Sequence, residues 1–183
     1  MGWLERLHRW DAAVSGRLAQ PAGESVTPDG VHRLAVLGAH LGDTWLWLIL
    51  TGWAWRSAHQ QKPADGGRQM RRVQRWATGM LLVGGLTLII KHFVRRPRPG
   101  HGAYLYGPGP DVHSFPSGHA MRMGVLLVWA PTLWPGWGRW SWLLALWVGW
   151  SRVRLGIHYV GDVLAGAVMG LIIGALLRHF PNQ

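Results

Sequence analysis

The stretch 151–162 reads S-R-V-R-L-G-I-H-Y-V-G-D and holds the residues best suited to chemistry. If the chain is helical from Tyr159 onward, His158 and Asp162 stand at i and i+4 on one face. A carboxylate there can hold one imidazole nitrogen and leave the other to act as a nucleophile. Arg152, Arg154 and a turn at Gly156 come just before the pair and suit an anionic ligand. The same residues also read as a loop with snorkelling arginines and an ordinary His–Asp pair. On this stretch alone both readings stand.

Two further segments bear on the choice. Residues 91–99 read K-H-F-V-R-R-P-R-P. Lys91 at a helix end and Arg98, held extended before Pro99, can aim two cations at one point, or form a basic membrane flank. Residues 116–119 read P-S-G-H. Ser117 can cap the helix that follows, whose free amides, Gly118 included, favour an anion. His119 sits in the first turn of that helix and can donate a proton.

Composition indicates what must position these segments. A chain of 183 residues fits one domain, and without cysteine it has neither disulfides nor thiolate metal sites. Nineteen Lys and Arg against eight Asp and Glu give a formal +11, which suits nucleic acid, anionic lipid or a phosphorylated substrate. Fourteen Trp and long apolar runs would be odd on a soluble basic binder, so nucleic acid is not an expected partner.

Mean hydropathy is only +0.07, and no uncharged run reaches the ~18 to 20 residues of an ordinary spanning helix. Shorter uncharged runs nevertheless fill 44–55, 76–90, 123–138, 140–151 and 163–177, most of them ending in Arg or Lys. Trp45, Trp53, Trp55, Trp76, Trp134, Trp137, Trp140 and Trp150 gather at the run ends as an interfacial belt would. The expected fold is all-α: one integral membrane helical bundle, with about five transmembrane helices and an amphipathic N-terminal helix. Residues 1–43 form the amphipathic, interfacial part, with Trp3, Leu4, Leu7, Trp10, Val14 and Leu18 on one side of the first helix. Residues 76–177 form the motif-bearing core.

The polar stretch 56–75 carries Arg56, Lys62, Arg68, Arg71, Arg72 and Arg75 against Asp65 alone, and the positive-inside rule makes it cytoplasmic. Parity then places Lys91, Arg98, Ser117, His119, Arg152, His158 and Asp162 together at the opposite membrane face. The reverse assignment stays open, since Lys91, Arg95, Arg96 and Arg98 all lie in the outer loop.

Read in order, the three segments give K-x6-R-P, P-S-G-H and S-R-x5-H-x3-D. This set resembles the type-2 phosphatidic acid phosphatase superfamily, which also contains vanadium-dependent haloperoxidases and bacterial acid phosphatases. Short length and apolar runs place the chain with the membrane branch, near the small bacterial phosphatases of phosphatidylglycerophosphate and undecaprenyl diphosphate. The resemblance implies an all-α bundle; taken with the positive-inside reading, the expected location is the bacterial inner membrane, with the active site on the outer, periplasmic face. It implies that His158 attacks phosphorus, that Asp162 fixes its tautomer, and that His119 protonates the leaving oxygen. Lys91, Arg98, Ser117, Gly118 and Arg152 would hold the phosphate oxygens, with no metal and no cofactor. A lipid phosphate or diphosphate is the implied substrate: undecaprenyl diphosphate, phosphatidylglycerophosphate, phosphatidic acid or a lipid A phosphate.

Alternatives from other chemistries are a haloperoxidase-like enzyme holding vanadate, a non-catalytic lipid-phosphate binder, and a zinc site on His119, His158 and Asp162. Arg122, one turn after His119, departs from the small or apolar residue expected there. It reads as a snorkelling side chain or as an extra contact for a second phosphate. His8, His32, His40, His59 and His179 are expected at the interface, and Tyr104 and Tyr106 at the lipid entrance. The sequence leaves oligomeric state open.

Overall fold

The computed structural model describes residues 2–19, 29–60, 63–100 and 112–179. Tyr104 and Tyr106 lie outside the described residues. Among those residues there are seven helices and no strand: α1 (Trp3–Leu18), α2 (Gly30–Leu41), α3 (Thr44–His59), α4 (Pro63–Val94), α5 (Gly118–Leu133), α6 (Gly138–Arg154) and α7 (Val160–His179). The all-α membrane bundle expected from the apolar runs is the fold observed.

The pattern of α7 shows how the bundle is built. Asp162, Gly166, Gly170 and Gly174 recur every fourth residue and are all buried. Leu164, Val168, Ile172 and Leu176, displaced by two positions, are each more than half exposed. The small residues turn inward because α5 passes very close. A Cβ on Gly170 would overlap the Met121 carbonyl oxygen, and one on Gly166 would lie 2.5 Å from the Ser117 oxygen. Small residues at every fourth position let two backbones touch where lipid gives helices no hydrophobic reason to associate. The large side chains face outward, a disposition suited to hydrocarbon rather than water.

Three features add to the sequence-based expectation or differ from it. The polar stretch 56–75 is largely helical, because α4 starts at Pro63 and runs 32 residues through it. Proline lacks only an amide that a first helical turn leaves unused, and after two glycines Arg68, Gln69 and Met70 are good helix formers. Trp76 and Trp134 do not belong to the exposed belt. Trp76 is fully buried, donates its indole N–H to Thr51 Oγ1 at 2.8 Å, and packs on Trp47 and Trp134 with ring centroids 6.0 and 5.6 Å away. Having an internal hydroxyl for its N–H, that ring has no need of the interface. Finally, α4 and α7 alone are long and apolar enough to cross a membrane among the described residues. The α2–α3 pair, bent by 51° at its break, is a third candidate if it counts as one span.

Helix α1 is amphipathic as expected, but its polar face is the one that meets protein. Trp3, Leu7, Trp10 and Leu18 are exposed, whereas Asp11 and Ser15 are buried against the start of α7. Asp11 Oδ1 accepts the Gly161 amide at 2.9 Å and Ser15 Oγ accepts the Val160 amide at 2.9 Å. Two amides that α7 cannot satisfy internally are thus capped from another helix.

Candidate active site

Each motif sits at a helix end, and backbone contacts draw the ends together. Ser117 caps α5, its Oγ accepting the Ala120 amide at 3.4 Å, while its own amide donates to the Asp162 carbonyl at 3.1 Å. Gly118 packs on Thr87, one turn before Lys91, so the end of α4 lies beside the start of α5. Arg152 is in the last turn of α6, and its carbonyl accepts the amides of Ile157 and His158, both at 3.1 Å. The tight reversal passes through Gly156, whose φ of +65° favours a residue without Cβ. Arg98 Nη1 reaches the Ile157 carbonyl at 3.4 Å, and the Gly100 amide donates to Gly156, which docks the 95–100 segment on the same turn.

The structure therefore brings Lys91, Arg98, Ser117, Gly118, His119, Arg152, His158 and Asp162 to one end of the bundle. Lys91, Arg152, His158 and Asp162 are buried, His158 to 2% exposure. Lys91 Nζ donates to the His113 carbonyl at 2.9 Å, which holds its chain toward the site. Burial lowers the His158 imidazole to about 4; Asp162 opposes the shift, and the charges of Arg152, Lys91 and Arg98 add to it. At neutral pH the ring is uncharged and keeps a lone pair for attack.

Asp162 is placed by more than its i+4 spacing. His158 Nδ1 stands 3.7 Å from Asp162 Oδ2, beyond hydrogen-bond length, and has no hydrogen-bond partner among the described residues. That carboxylate oxygen instead accepts the Tyr159 amide at 2.9 Å, and Oδ1 takes Arg96 Nη1 at 2.6 Å. Arg96 Nη2 bonds Asp11 Oδ2 at 2.8 Å, and its guanidinium lies 4.0 Å over the Tyr159 ring. Burial disfavours the Arg96 charge, yet the bonds and charges of Asp11 and Asp162 outweigh this and raise its pKa. Asp11, Ser15, Arg96 and Tyr159 form a frame that the motif spacing does not disclose. The one sequence signal for it is that Asp11 is an acidic residue amid the arginines of an otherwise basic, apolar helix.

His119 has a carboxylate of its own. Its Nε2 is 3.1 Å from Asp43 Oδ1, while Asp43 Oδ2 is 2.9 Å from His40 Nδ1. His40, expected at the interface, is thus part of this group. Gly42 makes the approach possible, since a Cβ there would overlap His119 Cδ2. Arg122 donates to the Gly42 carbonyl at 3.0 Å and to Thr44 Oγ1 at 2.8 Å, tying α5 to the break between α2 and α3. Residues 1–43 carry none of the three motifs, yet they supply Asp11, Ser15, His40 and Asp43 around the site. Among the described residues no three His, Cys, Asp or Glu side chains converge as metal ligands.

With cations, a buried neutral imidazole and a capped helix start at one point, this arrangement can bind a phosphoryl group and attack it. The PAP2 superfamily model matches residues 74–183. The decaprenylphosphoryl-5-phosphoribose phosphatase of Mycobacterium tuberculosis is 33% identical over 113 residues, which span 58% of this chain and 62% of that protein's length. The lipid A 1-phosphatase of Rhizobium johnstonii is 28% identical over 166 residues, 82% of this chain and 68% of the relative. A transmembrane PAP2 type phosphatidylglycerolphosphate phosphatase from Bacillus subtilis has the same fold, with TM-score 0.70 at 24% identity over 94% of this chain and 85% of that one.

Proposed function

The chain belongs to the PAP2 superfamily, and from that premise we propose that it is a membrane lipid phosphatase acting through a phosphohistidine. The observation that carries the reading is the convergence of Lys91, Arg98 and Arg152 on a buried, neutral His158 beside the start of α5. His158, its Nδ1 toward Asp162, attacks phosphorus through Nε2. A P–N bond forms as the P–O bond to the lipid breaks, and the three cations with the Ser117 and Gly118 groups take the charge spread over the non-bridging oxygens. His119 gives its proton to the leaving oxygen and then takes one from the water that cleaves the P–N bond. Asp162 and Asp43 each stand beside the imidazolium their histidine becomes. The chain's own cations supply the electrostatic stabilisation this scheme requires.

A lipid phosphate or diphosphate is the substrate class that fits an apolar-surfaced bundle with its cations at one end. The names of the relatives support this class and differ among themselves in the lipid. Phosphate release would be measured from phosphatidylglycerophosphate, undecaprenyl diphosphate, phosphatidic acid and a lipid A phosphate, in detergent with chelator present. Release from at least one, lost in His158→Ala, is the expected result. No release from any of them would overturn the proposal.

For topology the proposal is five crossings, α3 to α7, in the inner membrane of a bacterium, with residues 56–75 cytoplasmic and the site outside. With no native cysteine, Ser57→Cys and Val112→Cys give clean reporters. An impermeant thiol reagent applied to intact cells should label position 112 and spare 57. The opposite pattern reverses the orientation.

A further inference from the structure

At the end of the bundle away from His158, five arginines and two side chains of α5 enclose a cavity of about 250 Å³. Arg68, Arg71, Arg72 and Arg75 come from the first half of α4, Arg178 from the last turn of α7, and Trp129 and Thr132 from the end of α5. The other ends of these same three helices carry Lys91, Asp162 and Ser117. From Asp162 to Arg178 the chain rises about 24 Å at ~1.5 Å per residue. The cavity is therefore a second cationic site, separate from the candidate active site.

A basic collar at a membrane boundary needs only scattered cations. Here guanidinium groups from two helices share one cavity, and no carboxylate lines it among the described residues. Each guanidinium offers five N–H donors. The contacts Arg72 makes to Gln69 Oε1 and Arg178 makes to the Val128 carbonyl are both long, at 3.4 Å. Trp129 adds an independent observation. It is 2% exposed, and its indole N–H has no hydrogen-bond partner among the described residues. A buried donor without an acceptor is rare and marks a place where an acceptor belongs.

We propose that this cavity binds a phosphate group, carried on an anionic lipid headgroup or supplied as the free ion. Arginine forks match phosphate oxygens two at a time, and the Trp129 indole that lines the cavity carries a donor with no acceptor among the described residues. The volume admits a phosphate with the first atoms of a headgroup, and the exposed apolar faces of α4 and α7 leave room for the acyl chains alongside.

The test is thermal unfolding of the purified full chain in a neutral detergent, with inorganic phosphate, phosphatidylglycerol or phosphatidylcholine added. A ligand that binds the folded state raises the midpoint in proportion to the logarithm of its saturation. The comparison is between the native chain, the triple variant Arg71→Gln/Arg75→Gln/Arg178→Gln, and Trp129→Phe. Binding at the active site is common to all three and cancels, and lipid-phosphate turnover shows that each variant is folded. The native midpoint should rise by several degrees with phosphatidylglycerol, with phosphate or with both, and not with phosphatidylcholine. The triple variant should lose most of that rise, and Trp129→Phe part of it. A response to phosphatidylglycerol alone identifies a lipid headgroup, and one to phosphate alone the free ion. Equal responses in native and triple-variant protein, or no response to either anion, would overturn the proposal and leave the arginines as a basic collar. If the triple variant does not fold, Arg178→Gln and Trp129→Phe carry the same comparison singly.

Discussion

His158–Asp162 and His119–Asp43 are two His–carboxylate pairs built in opposite ways. The first is local: four residues apart and wholly contained in the third motif. The second joins residues 76 apart, across the break between α2 and α3. Yet the local pair is the looser one, at 3.7 Å against 3.1 Å. The reason is competition. Asp162 already answers Arg96 and the Tyr159 amide, whereas Asp43 meets an imidazole through each of its oxygens. Spacing on a helix brings two side chains into range; the other partners of the carboxylate decide whether they bond. Such a contact can tighten when the imidazole gains charge. The two pairs should accordingly fail in different ways.

The largest difference is expected between the histidines themselves. His158→Ala should abolish phosphate release from every substrate, because the nucleophile is needed whatever leaves. Residual turnover above about one part in a thousand would remove His158 from that role. His119→Ala should instead depend on the leaving group. An alkoxide leaves from a phosphomonoester and must be protonated, so most of a general-acid factor of about 10²- to 10⁴-fold is lost. A diphosphate expels a phosphate monoester whose second pKa is about 6, and much less is lost. Slowing both substrates by one factor would make His119 a ligand or a structural residue.

Arg96 allows the frame of the first pair to be broken without touching either member. Arg96→Leu strands Asp11 and Asp162, both nearly buried, without their shared cation. Breaking a buried ion pair from one side costs about 3–5 kcal/mol, which should appear as a marked fall in the thermal midpoint. A variant as stable as the native protein would show that the two carboxylates find other partners.

The pH profile sharpens the same comparison. Protonation removes the lone pair of His158, so kcat/KM should fall as pH drops through about 4. With substrate ionisation near ~6 allowed for, a limb at the ordinary histidine value of about 6.5 would mean that burial and the three cations do not act as described. The smallest effect is assigned to Arg122. Held by Gly42 and Thr44, it positions the His119–Asp43 side, so Arg122→Leu should slow monophosphate and diphosphate alike. A rise in KM confined to the diphosphate would return it to the role of a phosphate contact.

Periodicity and motif spacing carried much of this protein. The uncharged runs announce the helices, and the three motifs name eight residues that do meet at one end. At 16 and 17 residues, α5 and α6 fall short of an ordinary spanning helix, and α5 is nonetheless packed closely on α7. What local pattern could not reach were pairings between distant segments. Asp43 looks like a helix breaker until Gly42 lets His119 close on it. Asp11 looks like a stray charge until α7 presents two uncapped amides and Arg96 beside it. The arginines of 68–75 read only as a basic cytoplasmic stretch until they wind into α4 and meet Arg178 and Trp129. In each case sequence determines which groups a face offers, because side-chain direction follows the helix period. Their partners were decided by the tertiary structure, because partnership depends on how closely two backbones approach, and that is set by contacts such as Gly170 against Met121 far from the groups being paired.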